Sequence, residues 1–370
     1  MSPSPISRRS VLQNMLGGAV GSSALLGLGG VLPSAVYGDK QLQPFRTHAW
    51  LRDERNPVLP PGPSPFDVSC CMNPFVLRRD DEYWLFYAGG DKAGHRRICL
   101  ATALVDELTQ WKRRGPLFDL GGKDSSDETS CVLPCVPRVG DRWHLYYTGR
   151  SAQRGAGLQG FWGMGLATSD DLLNWKKFSD EPILRGDGFA AWPNNRGIAG
   201  GGRILEVPGD DGGQLLRMHY TLPTGTPSKD LLVDQAKHSV IAHSRDGLKW
   251  FDKRVVLSPR LEAKYENAAT IALNVLQEGD TWRAIYGGIG TQFGAYSICE
   301  AQSPDGLTWH RGQPGENLAL PPQGSGWESR MTTYPNVIEE NGRLRLFYCG
   351  NGYGATGIGT ALADKLEIPS

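Results

Sequence analysis

The chain of 370 residues lacks the features of several protein classes. Lys and Arg number 39, as do Asp and Glu, so the formal net charge is zero and the basic excess of a nucleic-acid-binding protein is missing. No apolar run of about 20 residues follows the N-terminal segment, which argues against a bundle of membrane-spanning helices. The seven cysteines form no Cys-x-x-Cys pair, which argues against a zinc cage. No Gly-x-Ser-x-Gly nucleophile motif occurs either.

Glycine and aromatic residues, in contrast, are abundant. The chain has 48 Gly, 11 Trp and 12 Tyr, whereas glycine makes up about 7% of an average chain. Hydrophobic residues at 39% and charged residues at 21% allow a packed core. This composition favours many short strands joined by turns over long helices.

One pattern occurs five times along the chain. It consists of an apolar strand, an aromatic strand ending in most copies at Tyr-x-Gly, a third strand around Ala-x-Ser, and a turn of the type Asp-Gly-Leu-x-Trp. The aromatic strands are marked by Tyr87, Tyr147, Tyr220, Tyr286 and Tyr348. A period of about 60 residues built from four strands is typical of propeller blades. We therefore predict an all-β chain that forms a five-bladed β-propeller of four-stranded blades.

The two ends of this region complement each other. The last repeat has no Trp turn and no fourth strand. The segment 50–59 matches 175–184 in length and in its Pro-apolar-Leu ending. We predict that the N-terminal strand completes the last blade and closes the ring, which removes an open sheet edge.

The N-terminus has the features of an export signal. Residues 7–12 read Ser-Arg-Arg-Ser-Val-Leu, and a glycine-rich apolar stretch follows. This resembles a twin-arginine signal; a single membrane anchor is the alternative, but the glycines make the stretch poorly suited to span a membrane. We predict a signal peptide at 1–38 and one catalytic domain at 39–370. The mature protein would be periplasmic or secreted, would meet the twin-arginine translocase during export, and would not insert stably into the membrane.

Acidic residues recur at one position of the repeats. This position lies seven residues before a reference position on the innermost strand, which is 13 residues before the Tyr in every repeat but the third and is Pro74 in repeat one. The residues at this position are Asp67, Asp127, Asn195, Glu266 and Glu328. Paired carboxylates cleave glycosidic bonds, and crowding raises the pKa of at least one of them. The four acids are therefore candidate catalytic residues in a ring at the pore mouth. The alternative is that each acid caps a turn or pairs with an arginine at the start of a strand.

Residues that do not fit the repeat pattern are candidates for substrate binding. Trp162, Trp192 and Trp327 match no repeat position and are candidate platforms for sugar rings, with packing of surface loops as the alternative. Candidate polar contacts are Asn195, Arg196, Arg203, Arg330 and His238. On an extended strand Arg330 would share the face of Glu328. The run 200–202 of three glycines suggests a close approach of backbone or ligand.

Three segments carry a family resemblance. Trp-His-Leu-Tyr-Tyr-Thr-Gly, Gly-Leu-Ala-Thr-Ser-Asp-Asp-Leu-Leu-Asn-Trp and Leu-Phe-Tyr-Cys-Gly resemble the five-bladed propeller glycoside hydrolases of the arabinanase, xylosidase and invertase type, over about residues 45–365. The resemblance implies an Asp base or nucleophile, a second Asp and a Glu acid. Asp67 and Asp127 would take the first two roles. Asn73 stands where the family often has an Asp, and blade three offers no acid, so Glu266 or Glu328 would donate the proton. We prefer Glu266, because the strand that follows it is apolar.

These observations predict an exported glycoside hydrolase that acts on a small glycan or glycoside. A carbohydrate-binding propeller without turnover is the first alternative, and a lyase or transferase on the same scaffold is the second. No cofactor is required and no metal site is predicted. A Ca²⁺ ion on the propeller axis is compatible with the fold, although no ligand set in the sequence demands it. We expect no nucleic-acid partner.

Overall fold

Strands make up almost all of the regular structure. The computed structural model describes residues 44–151, 161–186, 200–201, 203–209, 212–227 and 235–366. The helical elements in this part are a 3₁₀ turn at Gly326–Glu328 and a four-residue turn, α1, at Asn351–Gly354. The predicted all-β class is confirmed. Among the described residues, no helix has the length and apolar character needed to cross a membrane.

The strands follow the sequence repeats, and successive main strands of a repeat pair antiparallel. Before the repeats lies β1 (Leu51–Arg52). Repeat one contains β2 (Cys70–Arg79), β3 (Glu82–Gly90), β4 (Arg96–Leu104) and β5 (Lys112–Pro116). Repeat two contains β6 (Ser130–Cys135), β7 (Arg138–Val139), β8 (Arg142–Arg150), β9 (Phe161–Ser169) and β10 (Lys176–Lys177). Repeat three contains β11 (Ile204–Pro208), β12 (Gln214–Pro227), β13 (Gln235–Ser244) and β14 (Phe251–Leu257). Repeat four contains β15 (Ala269–Glu278), β16 (Thr281–Ile289), β17 (Tyr296–Ser303) and β18 (Leu318–Leu320). Repeat five contains β19 (Thr333–Glu340), β20 (Arg343–Cys349) and β21 (Ile358–Asp364).

The N-terminal segment joins the last repeat. Strand β1 pairs antiparallel with β21, so that Leu51 lies opposite Leu362, and the sheet order is β1-β21-β20-β19. Leu59 bridges to Ile358, which parallels the bridge from Leu184 back to its own repeat. Repeat five thus receives its fourth strand from the other end of the chain.

The repeated Asp-x-Leu-x-Trp turn is held by short polar contacts. In repeat two, Asp171 Oδ1 accepts hydrogen bonds from the backbone N–H groups of Leu173 and Asn174, at 2.9 and 2.8 Å. Ser169 Oγ accepts one from the N–H group of Leu172 at 2.9 Å. Trp175 packs edge-on against Phe86 of repeat one, with ring centroids 6.2 Å apart. Trp250 packs in the same way on repeat two. The turn therefore places a tryptophan between neighbouring repeats, as core.

The first strand of four repeats contains the same bulge. The pairing register shifts after three paired residues in repeats one, two and four and after one in repeat five, and one residue at the shift has a left-handed backbone. These residues are Asn73 (φ 56°), Leu133 (φ 58°), Ala272 (φ 51°) and Tyr334 (φ 54°). In repeat three, Gly200 and Gly201 just before β11 also have positive φ. Bulges bend a strand and redirect its side chains. The first strands of these four repeats therefore bend at equivalent positions.

A buried histidine fixes the segment before β1. His48 Nδ1 lies 2.8 Å from Glu300 Oε2, and His48 Nε2 lies 3.1 Å from Glu278 Oε1. Trp50 Nε1 donates to Glu300 Oε1 at 2.7 Å. Burial by itself lowers the pKa of His48, but the two carboxylates outweigh it and raise the pKa to about 9. The imidazole is therefore charged at neutral pH and fastens the segment to repeat four.

All seven cysteines are free, buried thiols. Burial raises the pKa of six of them, to about 12 for Cys71 and Cys135. The seven cysteines thus form no disulfide with one another.

The left-handed bulge predicts an unusual tolerance of glycine. We expect Ala272→Gly to change the free energy of unfolding by less than about 0.5 kcal/mol, because relief of the left-handed strain offsets the lost methyl group and the added chain entropy. Ala269→Gly, on the same strand with ordinary backbone and similar burial, should lose about 1–2 kcal/mol. Urea denaturation measures both values, and equal losses would contradict the strain argument.

The charge on His48 predicts a loss of stability at alkaline pH. The folded pKa of about 9 lies above the ordinary value of 6.5, so the stabilisation is complete below pH 6.5 and is lost as the pH rises through 9. We expect the parent chain to lose about 3 kcal/mol of unfolding free energy over this range.

Denaturant titrations at pH 6, 7.5 and 9.5 test this expectation. His48→Gln should be less stable than the parent at pH 6 and should show a flatter profile. His95→Gln serves as the control, since that side chain is 43% exposed, and it should follow the parent. Parallel profiles for the parent and His48→Gln would refute the assignment.

Candidate functional site

The four predicted catalytic acids share one local arrangement. Each is buried and lies beside the tyrosine that follows it by 20 residues, on the second strand of its own repeat. Each also pairs with at least one basic residue. The basic partners are Arg113, Lys177, Arg260 with Arg311, and Arg52. No contact joins one of the four acids to another among the described residues.

In repeats one and two the carboxylate has a hydroxyl and a cation as partners. Tyr87 donates to Asp67 Oδ2 at 2.7 Å, and Arg113 donates to the same oxygen. Tyr147 donates to Asp127 at 2.9 Å, and Lys177 Nζ lies 2.7 Å from the same oxygen. Burial alone would raise the pKa of Asp127, but Lys177 and the hydrogen bonds lower it overall. The structure therefore favours the alternative in which these acids pair with basic residues within a repeat.

Glu266 lies in a charged environment rather than an apolar one. Its Oε1 is 3.1 Å from Arg260 Nε and 3.4 Å from Arg311 Nη1. Tyr286 donates to Oε2 at 2.5 Å. The expected apolar surroundings of Glu266 are not found, because two guanidinium groups face its carboxylate; its role as proton donor stays a prediction.

Glu328 also pairs with one cation. Arg52 Nε donates to Oε1 at 2.9 Å, while the buried Oε2, like Oδ1 of Asp67, has no hydrogen-bond partner among the described residues. Burial raises the pKa of Glu328 and Arg52 opposes this shift. The expected shared face with Arg330 is wrong, since the chain here is a 3₁₀ turn rather than a strand and the Arg330 side chain is exposed.

A small cavity lies where residues from all five repeats meet. Its cavity volume is about 20 Å³, within about 270 Å³ of empty space that includes open solvent. The lining comes from the bulge positions and the residues next to them: Asn73, Pro74, Phe75, Leu133, Pro134, Gly201, Ala272, Asn274, Tyr334, Pro335 and Asn336. The four acids are not among the lining residues, and their ring at the pore mouth stays a prediction.

Side-chain amides of the cavity join neighbouring repeats. Asn73 Oδ1 accepts a hydrogen bond from Leu133 N at 3.3 Å. Asn336 Oδ1 accepts one from Val76 N at 2.9 Å, and Asn274 Oδ1 accepts one from the backbone of repeat five at 3.2 Å. The amide nitrogen of Asn73 is buried and lacks a hydrogen-bond partner among the described residues. The Tyr334 phenol is close to Asn73 but outside hydrogen-bond geometry.

Arg203 reaches from repeat three to repeat five. Its Nη1 donates to the carbonyl of Val337 at 2.9 Å, and Val337 directly follows the cavity residue Asn336. Burial lowers the pKa of Arg203, and the nearby Cys135 opposes this. The guanidinium therefore lies beside the cavity lining, bound to backbone, and its predicted contact with substrate stays a prediction.

The remaining predicted binding residues are spread over the molecule. Trp327 packs against Tyr348, with ring centroids 5.3 Å apart, so its ring contributes to the packing of repeat five. His238 Nδ1 lies 2.8 Å from Ser258 Oγ, and His238 does not line the cavity. Asn195, Arg196, Trp192 and the Trp162 side chain lie outside the described part of the structure. Within that part, no group of three or more His, Cys, Asp or Glu side chains is suited to hold a metal ion.

Asn274, Asn336 and Tyr334 are cavity residues that the sequence analysis did not select. One signal was available, because Asn274 and Asn336 each precede the Tyr of their repeat by 12 residues. This position directly follows the reference position used to align the inner strands.

Comparisons with known proteins support the fold. No family model matches the chain. The uncharacterized protein Rv1502 of Mycobacterium tuberculosis is 26% identical over 293 residues, which covers 77% of this chain and 89% of that protein. A solved structure from the GH130 family of mannoside phosphorylases, described as containing glycoside hydrolases that target β-1,2 mannosidic linkages in Candida mannan, has a TM-score of 0.64 at 17% identity. It covers 89% of this chain and 98% of that chain. A thermostable family-43 glycoside hydrolase has a TM-score of 0.58 at 16% identity over 81% of this chain and 90% of that chain. The chain thus has a β-propeller-like fold similar to that of glycoside hydrolases.

The network around Glu266 predicts a role in stability. We expect Glu266→Gln to lose about 3 kcal/mol of unfolding free energy, because two partly buried guanidinium groups lose their anionic partner. Glu262→Gln is the matched control: Glu262 lies 3.9 Å from the same Arg260 but is 63% exposed, so its loss should stay below about 0.5 kcal/mol. Unchanged stability of Glu266→Gln together with lost glycoside turnover would instead support the catalytic role.

Proposed function

We propose that the chain is an exported glycoside-active enzyme, a five-bladed propeller closed by β1, which binds a sugar at the open mouth of the central cavity. One observation carries this proposal: five repeats converge on a cavity lined by three side-chain amides and a phenol. The similarity in fold to glycoside hydrolases supports it. The export step rests on the twin-arginine-like segment within residues 1–38.

The cavity chemistry suits a sugar. Hydroxyl groups both donate and accept hydrogen bonds, and so do amides and phenols. A buried donor without a partner is costly, and a sugar hydroxyl oxygen at the Asn73 Nδ2 group would supply the missing acceptor. Asn73 also holds Leu133 of the next repeat through its other atom, so its amide is fixed in orientation before a ligand arrives.

Cleavage of a glycosidic bond needs a proton donor at the leaving oxygen. Burial raises the pKa of Glu328, and one of its carboxyl oxygens has no hydrogen-bond partner among the described residues. Glu328 also pairs with Arg52, but Asp127 has a lowered pKa and Glu266 faces two guanidinium groups, which favours structural roles for these two. We therefore retain Glu328 as the candidate proton donor and expect hydrolysis as the reaction.

Product analysis by mass spectrometry tests the proposal. The chain from residue 39 onward is incubated with β-1,2-mannosides, arabinosides, xylosides and fructosides in ¹⁸O-water, with and without inorganic phosphate. We expect ¹⁸O in the released sugar, and we expect Glu328→Gln to abolish this release. A sugar phosphate would indicate phosphorolysis, and an unsaturated product would indicate a lyase. Binding without any product would favour a carbohydrate-binding propeller. Absence of both binding and product across the panel would contradict the proposed function.

A nearly isosteric change tests the cavity itself. Asn73→Asp keeps the oxygen that accepts from Leu133 but removes the free N–H donor, so we expect glycan affinity to fall about tenfold. Asn341→Asp is the control, since Asn341 also has a left-handed backbone (φ 49°) but is exposed on a hairpin turn. Isothermal titration calorimetry with the best glycan of the panel measures both variants, and equal affinities would argue against the cavity as the sugar site.

A further inference from the structure

Three tyrosines connect the cavity to the surface. Tyr334 lines the cavity, Tyr296 is 2% exposed, and Tyr353 is 44% exposed. The ring centroids of Tyr334 lie 6.4 Å from those of both other rings, and Tyr296 and Tyr353 are 6.1 Å apart. We call these three residues the tyrosine cluster. Its members come from β17, β19 and α1, so it spans repeats four and five.

The exposed member of the cluster has a strained backbone. Tyr353 has φ 60° and follows Gly352 with φ 61°. A left-handed backbone costs a residue with a bulky side chain roughly 1–2 kcal/mol, and strain of this kind concentrates at functional sites.

The loop around Tyr353 is held in place from several sides. Asn351 Oδ1 accepts hydrogen bonds from the backbone of Arg330 at 2.8 Å and Met331 at 3.1 Å. Thr356 Oγ1 donates to the Trp327 carbonyl at 2.7 Å. A Cβ at Gly354 would come within 2.2 Å of the Cys71 carbonyl, so the chain here lies directly on β2. The strained ring is thus positioned by a fixed loop.

We infer that Tyr353 forms a sugar-stacking subsite at the edge of the cavity, supported by Tyr334 and Tyr296, and that the protein prefers a glycan of two or more rings to a single-sugar glycoside. This inference rests on the proposed function. A sugar ring presents an apolar C–H face that packs on an aromatic ring, and a rigid aromatic ring gives large contact area at a low entropy cost. With one sugar at the mouth of the cavity beside Tyr334, the next ring along the glycan meets Tyr353.

The matched variants separate the ring from the backbone. Tyr353→Asn removes the ring but keeps a residue type that tolerates the left-handed conformation, and Tyr353→Phe keeps the ring. Phe178→Asn is the control, since Phe178 is 54% exposed directly after β10 and does not line the cavity. The probes are β-1,2-mannotriose and p-nitrophenyl β-mannoside, compared by KM and kcat, with urea denaturation as the check on folding.

We expect Tyr353→Asn to raise KM for the trisaccharide about tenfold, with little change in kcat, in KM for the single-sugar glycoside or in stability. Tyr353→Phe and Phe178→Asn should match the parent. Equal loss on both probes, or no loss on either, would overturn the subsite while leaving the proposed function intact. Failure of the parent chain to bind or cleave either probe, or any other glycan of the panel, would overturn the proposed function and the subsite with it.

Discussion

A carboxylate that is withdrawn from water has to meet donors or cations, and four repeats meet this requirement in the same way. In each, an acid before the first strand lies beside a tyrosine of the second strand and pairs with a basic side chain. Because Arg52 comes from β1, the same arrangement in repeat five depends on the N-terminal segment. The contacts that complete one repeat therefore also tie the two ends of the chain together.

The bulge of the first strands has a different consequence, because it shapes the cavity. A regular strand would alternate its side chains between two faces. The left-handed residue breaks this alternation and directs a turn of backbone and the following side chain to the common centre. Since the same shift occurs in four repeats, amides such as Asn274 and Asn336 reach equivalent places. The cavity thus arises from a repeated backbone feature and not from one conserved residue type.

Part of this structure could be predicted from the sequence and part could not. The strands, the Trp turns and the pairing of β1 with the last repeat follow local patterns, which sequence shows directly. The role of Glu266 does not, because its partner Arg311 lies 45 residues further along the chain and no local pattern shows this pairing. The bulge has no signature in the sequence, because four different residue types occupy it: Asn73, Leu133, Ala272 and Tyr334. Trp327 matches no repeat position and was therefore a candidate sugar platform, but it is a packing residue. A tryptophan outside the repeat pattern need not be exposed to a ligand.

The seven buried thiols have a consequence for redox chemistry. Thiol–disulfide exchange requires a thiolate with access to its target. Six of the cysteines have a raised pKa because of burial, so at neutral pH almost none of each exists as thiolate. A folded chain of this kind exchanges poorly with glutathione or an oxidase. It can carry an odd number of reduced cysteines through an oxidising compartment without scrambling, provided that it folds before it arrives there.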